Sequence, residues 1–127
     1  MALSPQQITA VLALKGPERY EHFIKQVADH QEVWGLYDDG WAMAGSDTGQ
    51  QLLPFWAAAE YARLCAVKDW AGYEPRSLTI EEFYDLLDNL EDDEVLPAVF
   101  YTPSDKGVIP SHDQLRDDLL AELENYE

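Results

Sequence analysis

The chain has 127 residues, of which 46% are hydrophobic and 26% charged, a composition typical of one globular domain and not of a disordered acidic tail. Its net charge is −17, and residues 77–127 hold fifteen carboxylates against two Lys or Arg. This sign excludes direct binding to a nucleic-acid backbone or to an anionic membrane surface. No apolar run reaches the ~20 residues that span a bilayer. The N-terminus lacks the features of a secretory signal, so we expect a cytoplasmic protein.

The first two predicted elements are helices. The first begins at a capping pattern in which Ser4 can accept a hydrogen bond from the backbone of Gln7 while the Gln7 side chain bonds back. The second begins at Gly16-Pro17 and carries an apolar stripe at helical spacing. The residues of this stripe are Tyr20, Phe23, Ile24 and Val27.

Residues 33–45, VWGLYDDGWAMAG, are predicted to form a β-hairpin that turns at Asp39-Gly40. A two-residue turn pairs Asp38 with Trp41 and therefore places the bulky side chains together on one face. These side chains are Trp34, Leu36, Trp41 and Met43. The small residues of the other face leave room for a helix or another backbone to approach closely.

The rest of the chain alternates strands and helices. We predict strand 51–56, helix 57–68, strand 74–79, a helix capped by Thr79, strand 95–102, a short strand 107–110 and a helix capped by Ser111. The hairpin must be antiparallel, whereas the alternation in the centre permits parallel crossovers. The sequence thus predicts an α+β fold over residues 1–127, a single domain with a mixed sheet of about five strands and about five helices.

Few residues point to catalysis. Asp47-Thr48-Gly49 is the triplet of aspartic proteases, but it stands where a turn is needed, and that chemistry requires two carboxylates in a buried site. The only cysteine, Cys65, is expected on the inner side of its helix as a small buried hydrophobe. The three histidines show no zinc-like spacing. We therefore predict no catalytic residue, no cofactor and no metal ligand.

The helix that begins after Thr79 has an acidic outer face, and the acidic run continues past its end, where carboxylates oppose the helix dipole. One interpretation is a solvated surface. The others are docking of a protein with a basic surface and loose binding of a divalent cation, although the ligand spacing of an EF-hand is missing. The residues assigned to partner docking are Glu81, Asp85, Asp88, Glu91, Asp92 and Asp93.

Three stretches are distinctive: WGLYDDGWAMAGSDTGQQLLPFWAAAEYARLCA, WAGYEPRSLTIEEF and GVIPSHDQLRDDLLAELE. The most specific parts are the D-G-W hairpin, the P-F-W strand followed by Tyr61-Ala62, and Trp70-x-x-Tyr73-x-Pro75. From about Tyr20 to the C-terminus, the chain resembles a small bacterial family catalogued as domain of unknown function 2750. The resemblance implies a compact cytoplasmic domain of mixed α and β structure and brings no catalytic residues. The LPFW strand before a helix is also similar to small α+β domains among bacterial immunity and enhanced-serine-sensitivity proteins.

These features predict a non-enzymatic protein-interaction module, of regulatory or immunity type, that docks a partner through the acidic helical face. One alternative is a small-ligand-binding protein or an enzyme with an aromatic pocket. The residues assigned to that pocket are Trp41, Trp56, Trp70 and Tyr73. Another alternative is an acidic mimic of nucleic-acid charge. A homodimer is left open.

Overall fold

The computed structural model describes residues 4–45, 48–67, 70–102 and 107–125, which contain five helices and five strands. The helices are α1 (Pro5–Leu12), α2 (Gly16–His30), α3 (Ala59–Leu64), α4 (Ile80–Asp92) and α5 (His112–Glu124). The strands are β1 (Glu32–Tyr37), β2 (Ala44–Gly45), β3 (Gln51–Phe55), β4 (Glu74–Thr79) and β5 (Leu96–Val99). The predicted α+β class is confirmed. Of the protease-like triplet, Asp47 lies outside the described residues.

The predicted helix starts rest on local hydrogen bonds. Ser4 and Thr79 each form a reciprocal capping box, with the hydroxyl accepting at 3.1 Å and the returning Gln or Glu oxygen accepting at 2.9 Å. Ser111 accepts from the Gln114 backbone at 3.1 Å. The predicted helix 57–68 is shorter in the structure and runs from Ala59 to Leu64. Ala58, which precedes it, has an extended backbone and no side chain that could cap the helix.

The strands form two small sheets joined by one bridge. β1 pairs with β4 antiparallel, while β3 lies between antiparallel β2 and parallel β5. Trp34 and Trp56 connect the sheets through two backbone hydrogen bonds of 2.8 and 2.9 Å. The next hydrogen-bonded pair of this ladder would join Leu36 to Pro54, and proline has no N–H to donate. The Leu36 carbonyl instead accepts from Ala42 at 2.9 Å, so Pro54 limits the ladder to a single bridge.

The predicted register of the 33–45 hairpin is wrong by one residue. The chain reverses through the three residues 38–40 and pairs Trp41 with Tyr37. Asp39 has the positive φ of 56° that a type I′ turn requires, but Gly40 has φ 157° in place of the value of about 90° at the second position of that turn. A one-residue shift moves a side chain to the other face of a strand. Trp41 therefore lies on the Gly35 face, opposite Trp34 and Leu36. The second arm then leaves β1, and β2 pairs with β3.

The outer edge of β4 offers little backbone for further pairing. Because the N–H groups of Glu74, Arg76 and Leu78 face β1, those of the alternate residues face outward. Pro75 has no N–H, and the Thr79 N–H donates to the Glu82 side chain. Of the three outward positions in β4, Ser77 alone keeps an N–H that the proline ring or the helix cap does not take up, so extension of the sheet through β4 is disfavoured.

The core lies between the sheets and the helices. Leu52, Leu53, Pro54 and Phe55 are all buried, so β3 is covered on both faces. The Phe55 ring meets Phe83 of α4 edge-to-face at 4.9 Å. On the helical side α2 packs against α5, where the Tyr20 hydroxyl donates to Asp118 at 2.6 Å. This packing turns the apolar side of α4 inward and its carboxylates outward.

Candidate functional site

The acidic face of α4 is present as an exposed surface. Phe83, Leu87 and Leu90 are buried on the inner side of the helix, and all six carboxylates assigned to docking are exposed. Four of them recur at i, i+4, i+7 and i+11, a spacing that places them on the side opposite the buried stripe. These four residues, which we call the acidic ridge, are Glu81, Asp85, Asp88 and Asp92. Glu91 lies beside the ridge, and Asp93 is the C-terminal cap of α4.

Arg116 of α5 neutralises one side of this face. Its guanidinium lies 2.5 Å from Asp88, 3.0 Å from Glu91 and 3.0 Å from Asp113. Burial alone would lower the pKa of Arg116, but the hydrogen bond to Glu91 and the charge of Asp88 outweigh burial and raise it. Glu81, Asp85 and Asp92 form no ion pair in the part of the chain that the structure describes. On the acidic face, Asp88 and Glu91 are therefore paired with Arg116, whereas Glu81, Asp85 and Asp92 are accessible to a partner.

Replacing Arg116 by Met should destabilise the protein by about 1–2 kcal/mol, because three neighbouring carboxylates would lose their shared cation. The difference from wild type should shrink at 1 M salt, where the Debye length is about 3 Å. Urea unfolding at low and high salt measures both effects. Lys25→Met is the control, since Lys25 forms one exposed i,i+4 pair with Glu21. An equal cost for the two variants would contradict the assigned role of Arg116.

The residues of the predicted aromatic pocket fall into two groups. Trp56 is fully buried, its indole N–H donates to the Tyr101 carbonyl at 2.8 Å, and its ring meets Trp70 edge-to-face at 6.2 Å. Tyr73 is half-buried next to them, with its backbone N–H bonded to the Trp70 carbonyl. Trp41 instead meets Tyr37 at 5.1 Å. Trp56 is thus a core residue, and Trp41 belongs to another cluster.

Cys65 lies inside the core, as the sequence predicts. Its Sγ is 3.5 Å from the Tyr101 carbonyl, and burial raises the pKa of its thiol to about 11. The thiolate is the reactive nucleophile, so this environment keeps Cys65 in its inert form at neutral pH.

Alkylation of native Cys65 at pH 7 is expected to be at least about a hundredfold slower than alkylation of the unfolded chain. The shift of the thiol pKa from 9.0 to about 11 lowers the thiolate fraction by that factor, and burial slows access further. The rate of iodoacetamide labelling with and without denaturant, followed by mass spectrometry, tests this. Equal rates in the two states would show a reactive, accessible thiol and would favour the enzyme alternative.

Two arginines were not singled out in the sequence. Arg19 is buried, and its guanidinium donates to the carbonyls of Leu14 at 2.6 Å and Phe100 at 3.3 Å. Arg76 lies over the ring of Tyr37, with 4.4 Å between guanidinium carbon and ring centroid. Their roles depend on contacts between distant segments, which spacing along the chain does not reveal. Arg76 of β4 lies opposite Gly35 of β1. This pairing is a signal for its role, but it can be recognised only once the register of the two strands is known.

One further surface feature lies away from these residues. A shallow depression of about 380 Å³ beside α1 is lined by Pro5, Gln6, Thr9 and Ala10. Within the described ranges, no group of three or more His, Cys, Asp or Glu is arranged to hold a metal ion. Nor is any described helix long and apolar enough to cross a membrane.

A family model described as "Protein of unknown function (DUF2750)" matches residues 20–119. The match begins where the sequence resemblance was expected to begin and ends within α5. No curated protein and no solved structure matches the chain significantly. Because the family model covers well over half of the chain, the protein belongs to the DUF2750 family of proteins of unknown function.

Proposed function

We propose that this protein is a non-enzymatic interaction module, of regulatory or immunity type and acting in the cytoplasm, that docks a protein with a basic surface through the acidic ridge of α4. The observation that supports this most is the division of the acidic face. Arg116 forms ion pairs with Asp88 and Glu91, whereas Glu81, Asp85 and Asp92 form none with the described residues of their own chain. Carboxylates without an ion pair repel one another in the free protein and are available to the basic side chains of a partner.

The position of the ridge also favours docking. α4 is anchored by three fully or largely buried side chains, so its outer face is presented on a rigid element and a partner need not order it. Charges at the rim of an interface speed association and select partners more than they add affinity. The proposed complex should therefore be sensitive to salt.

A homodimer is a weaker form of the same proposal. The ridge of one copy would face a second chain that also carries a net charge of −17, which opposes association. Sheet extension through β4 is disfavoured by Pro75 and by the Thr79 cap. A different, basic protein fits the surface better than a second copy does.

The proposal is tested with a variant that carries Glu81→Gln, Asp85→Asn and Asp92→Asn, three changes that leave the Arg116 ion pairs intact. A matched control carries Glu32→Gln, Asp38→Asn and Asp39→Asn, which remove the same charge from exposed positions of β1 and its turn. The proteins are used as baits in a cell lysate at low and high salt. We expect a partner that wild type and control retain at low salt, that high salt releases, and that the ridge variant does not retain.

The melting temperature separates docking from folding. The ridge variant should melt at or slightly above the wild-type temperature at low salt, because like charges have been removed. A ridge variant that retains the wild-type partner with unchanged salt dependence would overturn the docking role of this surface. Loss of the partner in both triple variants would show that only the total charge matters.

A further inference from the structure

Tyr37, Trp41 and Arg76 form an exposed cluster on the face of β1 that carries Gly35. The Arg76 guanidinium lies 4.4 Å from the Tyr37 ring centroid and 6.0 Å from that of Trp41, and the two rings meet edge-to-face at 5.1 Å. Arg76 is exposed and both aromatic rings are partly exposed. The cluster thus holds a cation against two aromatic surfaces where solvent can reach it.

The backbone determines this arrangement. Gly35 and Arg76 are directly opposed in the antiparallel pair, so Arg76 projects on the same face, diagonal to Tyr37. A Cβ on Gly35 would lie 2.8 Å from the Trp41 ring, so only glycine leaves room for the indole there. Trp41 and Tyr37 hold the guanidinium in one place and reduce the entropy that Arg76 would lose on binding a ligand.

The cluster has hydrogen-bond donors without acceptors. The indole N–H groups of Trp56 and Trp70 donate to the carbonyls of Tyr101 and Met43. In contrast, neither the indole N–H of Trp41 nor the guanidinium of Arg76 donates a hydrogen bond to a group of the chain, and the guanidinium forms no ion pair, as far as the described residues show. An arginine on this strongly acidic chain therefore keeps its planar set of N–H donors free for an anion.

We infer that Tyr37, Trp41 and Arg76 form a binding site for a carboxylate, with the Arg76 guanidinium donating two parallel hydrogen bonds to its oxygens. This geometry is the preferred one between arginine and carboxylate. A phosphate group also accepts two such bonds, but it carries about −1.5 to −2 charge at neutral pH and is repelled more strongly by a chain of net charge −17. The site is separate from the acidic ridge and does not depend on the docking proposal.

The test is a titration followed by NMR of the Trp41 indole N–H and the Arg76 side-chain N–H. The probes are acetate, a short peptide with a free C-terminal carboxylate and its amidated form, and inorganic phosphate, all at constant ionic strength with chloride as balance. We expect saturable shifts of both signals with acetate and with the free-acid peptide, and none with the amide. The tighter of the two acids identifies the source of the carboxylate as a small molecule or a peptide end.

Arg76→Lys keeps the charge and removes the planar donor pair, so it should weaken carboxylate binding about tenfold or more while the melting temperature stays unchanged. Arg63→Lys changes another exposed arginine, on α3, and should leave the affinity as it is. The inference is overturned if acetate and the free-acid peptide give no saturable shift up to roughly 0.1 M, far above a millimolar dissociation constant. It is also overturned if phosphate binds more tightly than acetate, or if Arg63→Lys weakens binding as much as Arg76→Lys.

Discussion

The Trp56→Ala variant should lose about 3–5 kcal/mol of unfolding free energy, the usual cost of removing a large buried aromatic side chain. Trp56 is fully buried, and its backbone forms the bridge that joins the two sheets. Its indole N–H also satisfies the Tyr101 carbonyl at 2.8 Å. The variant therefore creates a cavity and removes a hydrogen bond where the sheets meet. Urea unfolding followed by circular dichroism measures the change.

Two other variants separate these causes. Trp56→Phe keeps much of the volume and removes the N–H, so it should cost about 1–3 kcal/mol. Trp70→Ala removes a ring that is only partly buried and should cost less than Trp56→Ala. If Trp56→Ala melted close to wild type, Trp56 would not be a core residue and the aromatic-pocket alternative would regain support.

Features that depend on neighbours in the chain were predictable from the sequence. The capping patterns at Ser4 and Thr79 involve residues three positions apart, and both form as expected. The apolar stripe of α4 is likewise local, so the outward position of its carboxylates followed from helical periodicity. The exposure of the carboxylates on α4 could thus be predicted from the sequence.

Features that depend on contacts between distant segments were not predictable. The register of the hairpin, although local, was not predictable either, because an Asp-Gly turn signal is compatible with loops of two and of three residues. The three-residue loop over residues 38–40 moves Trp41 to the other face. The same shift created the cluster around Arg76. Pro54 interrupts a ladder with a strand that lies about twenty residues earlier in the chain, and nothing in the local pattern of β3 indicates which strand that is.

The count of charges along the chain did not reveal which carboxylates of α4 are paired with a cation. Arg116 was one of two cations in an acidic half, and its three carboxylate partners come from two helices. Helical spacing alone places Asp88 and Asp92 on the same face as equivalent residues. In the structure, Asp88 pairs with Arg116 and Asp92 does not. A docking experiment designed from the sequence would have changed Asp88 and disturbed an ion pair of the free protein.

Arg19→Ala is expected to destabilise the protein by at least about 3 kcal/mol. The side chain is buried, so its removal leaves a cavity, and the carbonyls of Leu14 and Phe100 lose a charged donor. Leu14 lies in the connection between α1 and α2, and Phe100 follows β5. Arg19 thus connects the N-terminal helices to the segment that follows β5, the strand at one side of the three-stranded sheet.

Arg19→Met distinguishes packing from hydrogen bonding at this position. Methionine fills much of the volume with a flexible apolar chain but donates no hydrogen bond. It should recover part of the loss and leave a cost of about 1–3 kcal/mol for each carbonyl that stays without a donor. Chemical denaturation of wild type and both variants gives the comparison. If Arg19→Met were as stable as wild type, the stem of Arg19 would act by packing alone and the two carbonyl bonds would contribute nothing net, as can happen when a buried charge is replaced by an apolar side chain of similar size.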